Sequence, residues 1–120
     1  MAMWYNGHRA MTVKPREREL YEARARVAKA LAHPSRLMIL DALAEKPMCV
    51  CDLTKLVGAD QSTVSKHLSV LKNAGIVSDR RDGVMVFYRL KVGCLRGFWN
   101  CIEGVLRNNL RQQQAVMKSS

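Results

Sequence analysis

The stretch Gly58-Ala59-Asp60-Gln61-Ser62-Thr63-Val64-Ser65-Lys66-His67-Leu68-Ser69-Val70-Leu71-Lys72-Asn73-Ala74-Gly75 carries two patterns at once. Val64, Leu68 and Leu71 recur at i, i+4 and i+7, a helical stripe that has to be buried against other helices. Gln61, Ser62, Thr63, Ser65, Lys66 and His67 are expected on the opposite side. An ordinary amphipathic surface helix would carry Glu–Lys pairs four residues apart on that outer face, and this one has none. Short polar groups near the N-terminal end, with longer cationic ones beside them, suit a helix that enters the DNA major groove. The former can reach base edges and the latter phosphates. Asp60 is placed to cap the start, and Gly75 is the natural residue just past the end.

Upstream, residues 49–57 suggest a short helix with Leu53, Leu56 and Val57 inward. Gly58-Ala59-Asp60 leaves room only for a tight turn, so this helix and the next form a helix-turn-helix. A further helix over 35–45, opened by Pro34 and closed by Lys46-Pro47, should bury Leu37, Leu40, Leu43 and Ala44. His33 stands at its entrance as a hydrogen-bonding joint. From Pro15 another helix carries Leu20, Ala23, Val27, Ala30 and Leu31 on one side; Arg16, Arg18, Arg24, Arg26 and Lys29 cover much of the rest and are read as a solvated face.

Downstream, Ile76 and Val77 begin a strand, Asp82-Gly83 marks a two-residue hairpin turn, and residues 84–90 are rich in strand formers. Arg80 and Arg81 fall near the tip of this β-wing, where cations reach phosphate or a minor groove. Residues 92–110 return to helical spacing. Leu95, Trp99, Ile102 and Leu106 form one stripe, and Cys94, Phe98, Cys101 and Val105 form the next. A helix this broadly apolar at the end of a small domain calls for a partner, most simply its own copy across a two-fold axis. The expected architecture is mainly α with a β-hairpin wing: a homodimeric winged helix-turn-helix over 15–110, with an N-terminal arm over 1–14 and a polar, frayed tail over 111–120.

At 120 residues the chain is one small domain, and its 20 Lys and Arg against 10 Asp and Glu give a net charge of +10. Such a protein attracts polyanions through a salt-sensitive term that carries no sequence information. No apolar run approaches the ~20 residues of a membrane span, and no signal-peptide core is visible, so a cytoplasmic location is expected. In that reducing compartment four cysteines are thiols, metal ligands or redox switches before they are structural disulfides. Paired carboxylates, a nucleophile–base arrangement and a phosphate-binding glycine loop are all missing from the pattern, which argues against an enzyme.

Taken together, Leu31-Ala32-His33-Pro34-Ser35-Arg36-Leu37, Cys49-Val50-Cys51-Asp52-Leu53, Ser62-Thr63-Val64-Ser65-Lys66-His67-Leu68, Ala74-Gly75-Ile76-Val77 and Tyr88-Arg89-Leu90 resemble the arsenical-resistance repressors of the ArsR/SmtB type, over about residues 27–106. The resemblance implies a homodimer with its first and last helices at the interface. It also implies binding to an imperfect inverted repeat in double-stranded promoter DNA, and release by an inducer. The family's DNA-reading positions fall on Gln61, Ser62, Ser65 and His67, with Arg80 and Arg81 in the wing.

Cys49-Val50-Cys51 is the sharpest chemical feature. As(III) and Sb(III) are soft ions that favour three thiolates, and cadmium and lead also prefer sulfur-rich sites. Residues i and i+2 of an ideal helix point about 200° apart, so the pair can grip one ion only where a helix starts or is distorted. The best-known arsenic pattern places a third thiol where this chain has Thr54. No cysteine precedes Cys49, and the last helix has no His and only Glu103, which disfavours both an N-terminal ligand and a zinc-type site. The third ligand is therefore expected from Cys94 or Cys101. Seven residues separate them, about 10 Å along a helix, so both join one site only if the helix begins after Cys94. Arsenite or antimonite is the first expected inducer, an organoarsenical the next, with cadmium or lead behind. The alternative is a thiol redox or persulfide sensor on the same DNA-binding body.

Overall fold

The computed structural model describes residues 12–93 and 95–119. Its elements in chain order are α1 (Pro15–Leu31), α2 (Pro34–Leu43), β1 (Met48–Cys49), α3 (Val50–Val57), α4 (Gln61–Asn73), β2 (Val77–Asp82), β3 (Met85–Leu90) and α5 (Leu95–Ser119). The predicted helix-turn-helix and wing are both present.

Each boundary has a local cause. Pro34 sits in the first turn of α2, and His33 caps it, its Nδ1 accepting from the Ser35 backbone N–H at 3.1 Å. Gly58 ends α3 with φ +74°, its N–H donating to the Thr54 carbonyl at 3.0 Å. Asp60 then caps α4, accepting from the Thr63 N–H at 2.8 Å. At the far end of α4, Gly75 takes φ +80°. There the Ile76 N–H reaches the Leu71 carbonyl and the Gly75 N–H the Lys72 carbonyl, which is the Schellman pattern that a left-handed glycine permits.

The sheet has the order β1-β3-β2 and is antiparallel throughout. Two expectations need correction here. Asp82 pairs with Met85, so the two loop residues are Gly83 and Val84, not Asp82 and Gly83. The first loop position takes φ +64° while Val84 has no positive φ, the order of a turn with glycine first rather than of the Asp-Gly turn, which needs positive φ at both positions. Cys49, expected as the first residue of a helix, is instead its N-cap and at the same time a strand residue paired with Phe87.

One core forms around Ile39, Leu40, Leu43, Leu53, Val64, Leu68, Leu71, Ile76, Val77, Ala30 and Leu95. Ile39 enters where Ala44 was expected, because α2 stops at Leu43 and leaves Ala44 exposed. Leu56, also expected inward, remains 44% exposed. The terminal helices are underfilled. Leu20 and Val27 on α1, and Val105, Leu106 and Leu110 on α5, are exposed, Leu106 by 60%. α5 joins the core only at its start, through Leu95 and the partly buried Trp99, whose buried Nε1 has no hydrogen-bond partner among the described residues. It continues helical through the stretch taken as a tail, where no Gly or Pro interrupts 105–119. No helix among the described residues is long and apolar enough to cross a membrane.

A Cβ at Gly58 would meet nothing within 4 Å, so Gly58→Ala isolates the conformational cost of its positive φ. Urea unfolding is expected to show a loss of about 1–2 kcal/mol, with the outer face of α4 unaltered.

Candidate nucleic-acid interface and thiol site

α4 divides as its sequence demands. Val64, Leu68 and Leu71 are all 0% exposed, while Gln61, Ser62, Thr63, Ser65 and Lys66 are exposed. Ser69, one turn beyond Ser65 on the same exposed face, extends this surface; its helical spacing was visible in the sequence. The Asp60 carboxylate gathers the helix entrance. It accepts from the Thr63 N–H and from the Ser62 hydroxyl, the latter at 2.9 Å, and these bonds hold its pKa below the ordinary carboxylate value, Thr63 contributing most.

His67 departs from expectation. It is buried, not on the outer face, and its Nδ1 accepts from Arg36 Nε at 3.2 Å. Its ring lies 4.3 Å, centroid to centroid, from that of His33. At i+3 from Val64 it completes the inner stripe, a position a helical wheel assigns to either side when the residue is amphipathic. Burial pushes its pKa below the usual histidine value, and His33 and Arg36 push it the same way.

The wing is tied to the end of α4 by Lys72 and Asp79, at 3.0 Å, a partly exposed pair worth at most about 1 kcal/mol. Arg80 and Arg81 are both exposed, opposite Phe87 and Val86 respectively. As neighbours on one strand they leave opposite faces of the sheet. Val84, at the tip, is 97% exposed.

The cysteines are placed unequally. Cys49 is 4% exposed and stands at the N-cap of α3 as well as in β1. Cys51 is exposed one residue into α3, and Cys101 is exposed on α5. Cys94 lies outside the described residues. Among the described residues no three His, Cys, Asp or Glu side chains come together in a metal-binding group, so the trithiolate expected from the sequence is not assembled within the described part of one chain. The Thr54 hydroxyl, standing where a third thiol occurs in arsenic sensors, donates to the Val50 carbonyl at 2.7 Å.

A three-helix core presenting a capped polar helix, with a β-hairpin beside it, is a winged helix-turn-helix DNA-binding domain. Residues 33–79 match the model of the bacterial regulatory protein, arsR family. The uncharacterised HTH-type transcriptional regulator MJ1325 of Methanocaldococcus jannaschii is 48% identical over 71 residues, covering 58% of this chain and 80% of its own. The crystal structure of NolR from Sinorhizobium fredii superposes with a TM-score of 0.71 at 33% identity, over 79% of this chain and 95% of that one. A homodimeric winged helix-turn-helix DNA-binding domain, Mb0332 from Mycobacterium bovis, gives a TM-score of 0.69 at 32% identity, over 86% and 94%. The chain belongs to the arsR family of bacterial transcriptional regulators.

His67 binds a proton less readily when folded than its ordinary value of 6.5 implies. The unfolded chain therefore takes up the proton first, and stability present above pH 6.5 is lost as pH falls below it. Thermal melts from pH 7.5 to 5.5 are expected to show a falling midpoint, and His67→Gln should flatten that fall.

Proposed function

We propose that this regulator is a thiol-gated repressor: a homodimer that holds an imperfect inverted repeat of double-stranded operator DNA and releases it when As(III) or Sb(III) binds cysteine thiolates. The observation that carries the reading is the double position of Cys49. It is a ladder residue of the wing sheet, paired with Phe87, and at the same time the N-cap of the helix leading into the turn before α4.

Cys49 is buried and Cys51 exposed. Cys49 stands at a helix start, where a Cys-x-Cys pair can grip one ion, and sharing an ion with the exposed Cys51 draws Cys49 from its burial or opens the first turn of α3. Either movement disturbs the Cys49–Phe87 pair and, across β3, Arg80, which is the partner of Phe87 on the other side. It also disturbs α3, three residues from the start of α4. Soft-ion binding at the pair thus acts on both DNA-facing elements. The third thiolate is assigned to Cys94 or to Cys101 of α5. The exposed apolar residues of α1 and α5 supply the surface for the second copy, since fully burying each large side chain contributes about 1.5–3 kcal/mol.

Gln61, Ser62, Thr63 and Ser65 are assigned to base edges and the adjoining backbone, and Lys66, Arg80 and Arg81 to phosphate or the minor groove. His67 is reassigned from base reading to support of the helix. Lys66→Ala is expected to weaken operator binding across sequences and to lower the slope of log K against log salt by about one.

The direct test is fluorescence anisotropy of a duplex from the regulator's own promoter, bound to reduced protein and titrated with arsenite under a thiol-free reductant. Release is expected near about one arsenite per subunit, as a trithiolate site requires, and should be lost in Cys49→Ser. If DNA stays bound through arsenite and antimonite but leaves on oxidation, the inducer is redox chemistry at the thiols instead. Release by cadmium or lead alone would likewise overturn the metalloid assignment.

A further inference from the structure

Arg36 is half-buried and lies behind the reading face of α4, yet it joins three helices. Its Nε donates to Nδ1 of His67 in α4 at 3.2 Å. Its Nη1 donates to the carbonyls of Lys29 and Ala30 at 3.4 and 3.3 Å. Those carbonyls belong to the last turn of α1, where intrahelical partners run out and a cation is favourably placed. His33 backs the joint, its ring against that of His67 and its Nδ1 accepting from the Ser35 N–H of α2. Among the described residues no carboxylate pairs with Arg36.

We propose that Arg36 is a positioning residue for operator recognition: it fixes the angle between the dimerisation helix α1 and the reading helix α4, and so sets the separation of the two reading helices in the dimer. The proposal rests on the homodimeric operator-binding reading above. Apolar packing of Val64, Leu68 and Leu71 holds α4 against the core but is non-directional, and tolerates small rotations. A planar guanidinium with donors aimed at two different helices does not. Small rotations matter here because α1 belongs to the surface assigned to the two-fold, so an angular change between α1 and α4 is repeated in both subunits. Lysine carries its three donors on one nitrogen and lacks the planar fork that spans both helices.

The test uses a duplex containing the inverted repeat that the wild-type protein selects from a random-sequence pool, together with duplexes whose centre is longer or shorter by one base pair. Each such change moves the half-sites by about 3.4 Å and turns them by about 35°. Affinities are measured by anisotropy for wild type, Arg36→Ala, Arg36→Lys, His67→Leu and His67→Gln, with dimerisation and folding followed by sedimentation and circular dichroism.

Arg36→Ala, Arg36→Lys and His67→Leu are expected to lose about tenfold on the selected spacing while the preference among spacings shrinks to within about threefold. His67→Gln, whose side-chain carbonyl can accept from Arg36, should recover most of both. A uniform loss that leaves the spacing preference intact would overturn the proposal. If the salt slope also falls by about one, that loss would mark Arg36 as a direct phosphate contact. Wild-type behaviour in all four variants would overturn it equally. Should Arg36→Ala fail to fold, the comparison of His67→Leu with His67→Gln decides. If the wild-type protein selects no inverted repeat, the dimeric operator reading falls first and this inference falls with it.

Discussion

Everything in this domain depends on one helix being fully buried on one side and fully available on the other. Val64, Leu68 and Leu71 share the core with Ile39, Leu40 and Leu53, all with no exposed surface. Truncating any one of these leucines to alanine belongs to a class of change costing about 2–5 kcal/mol, a large part of a small domain's stability. That burial leaves the polar face of α4 outward. The glycines at 58 and 75 let the chain enter and leave at steep angles, and the Lys72–Asp79 bridge brings the wing alongside. The outward polar face is thus a by-product of the core, with side-chain ties from Ser62 to the Asp60 cap and from Lys72 to Asp79.

The thiol site follows the opposite logic. Cys49 is buried in a strand only two residues long, far below the length at which strand pairing is stable by itself. A buried free thiol contributes as a small apolar group. Cys49 keeps its place through apolar burial and a two-residue ladder on β3, whereas Cys51 is already in solvent. In the proposed mechanism a soft ion that bonds both competes against that packing, and the wing sheet and the helix before the turn change with the outcome. α4 packs on β2 and Cys49 pairs with β3, so in the proposed mechanism the reading helix and the sensing thiol sit on adjoining strands of the wing sheet, the arrangement a ligand-controlled DNA binder needs.

How much of this was legible in the sequence depends on whether local chemistry or tertiary context decides each residue. The α4 stripe, the Asp60 cap and the Gly75 terminus are local, and all three are found where spacing and residue type place them. The wing hairpin was legible, but its turn moved by one residue because the positive φ falls on the first loop position alone, which Gly83 supplies and which Asp-Gly does not signal. Cys49 as a strand residue was not legible. A two-residue strand has no periodicity, and its pairing with Phe87 is a contact across 38 positions. His67 inside and Leu56 outside were hidden for a related reason: both lie at the edge of an apolar arc, where the neighbouring helix decides. Arg36 carried no local signal, since its partners lie in α1 and α4. The proposed third thiolate, Cys94 or Cys101, is specified by no local pattern.

The account stands on Cys49 linking soft-ion binding to both DNA-facing elements, and amide hydrogen exchange measures that link most directly. Exchange would be followed in the free dimer, the dimer with one equivalent of arsenite per subunit, and the Cys49→Ser variant with the same arsenite. The account predicts faster exchange after arsenite at residues 48–52 and 85–89, reaching Arg80 and the first turn of α4, with the core of α4 around Leu68 still protected and no change in Cys49→Ser. Arsenite bound with exchange in β1 and β3 unaltered, or the same acceleration in Cys49→Ser, would contradict it.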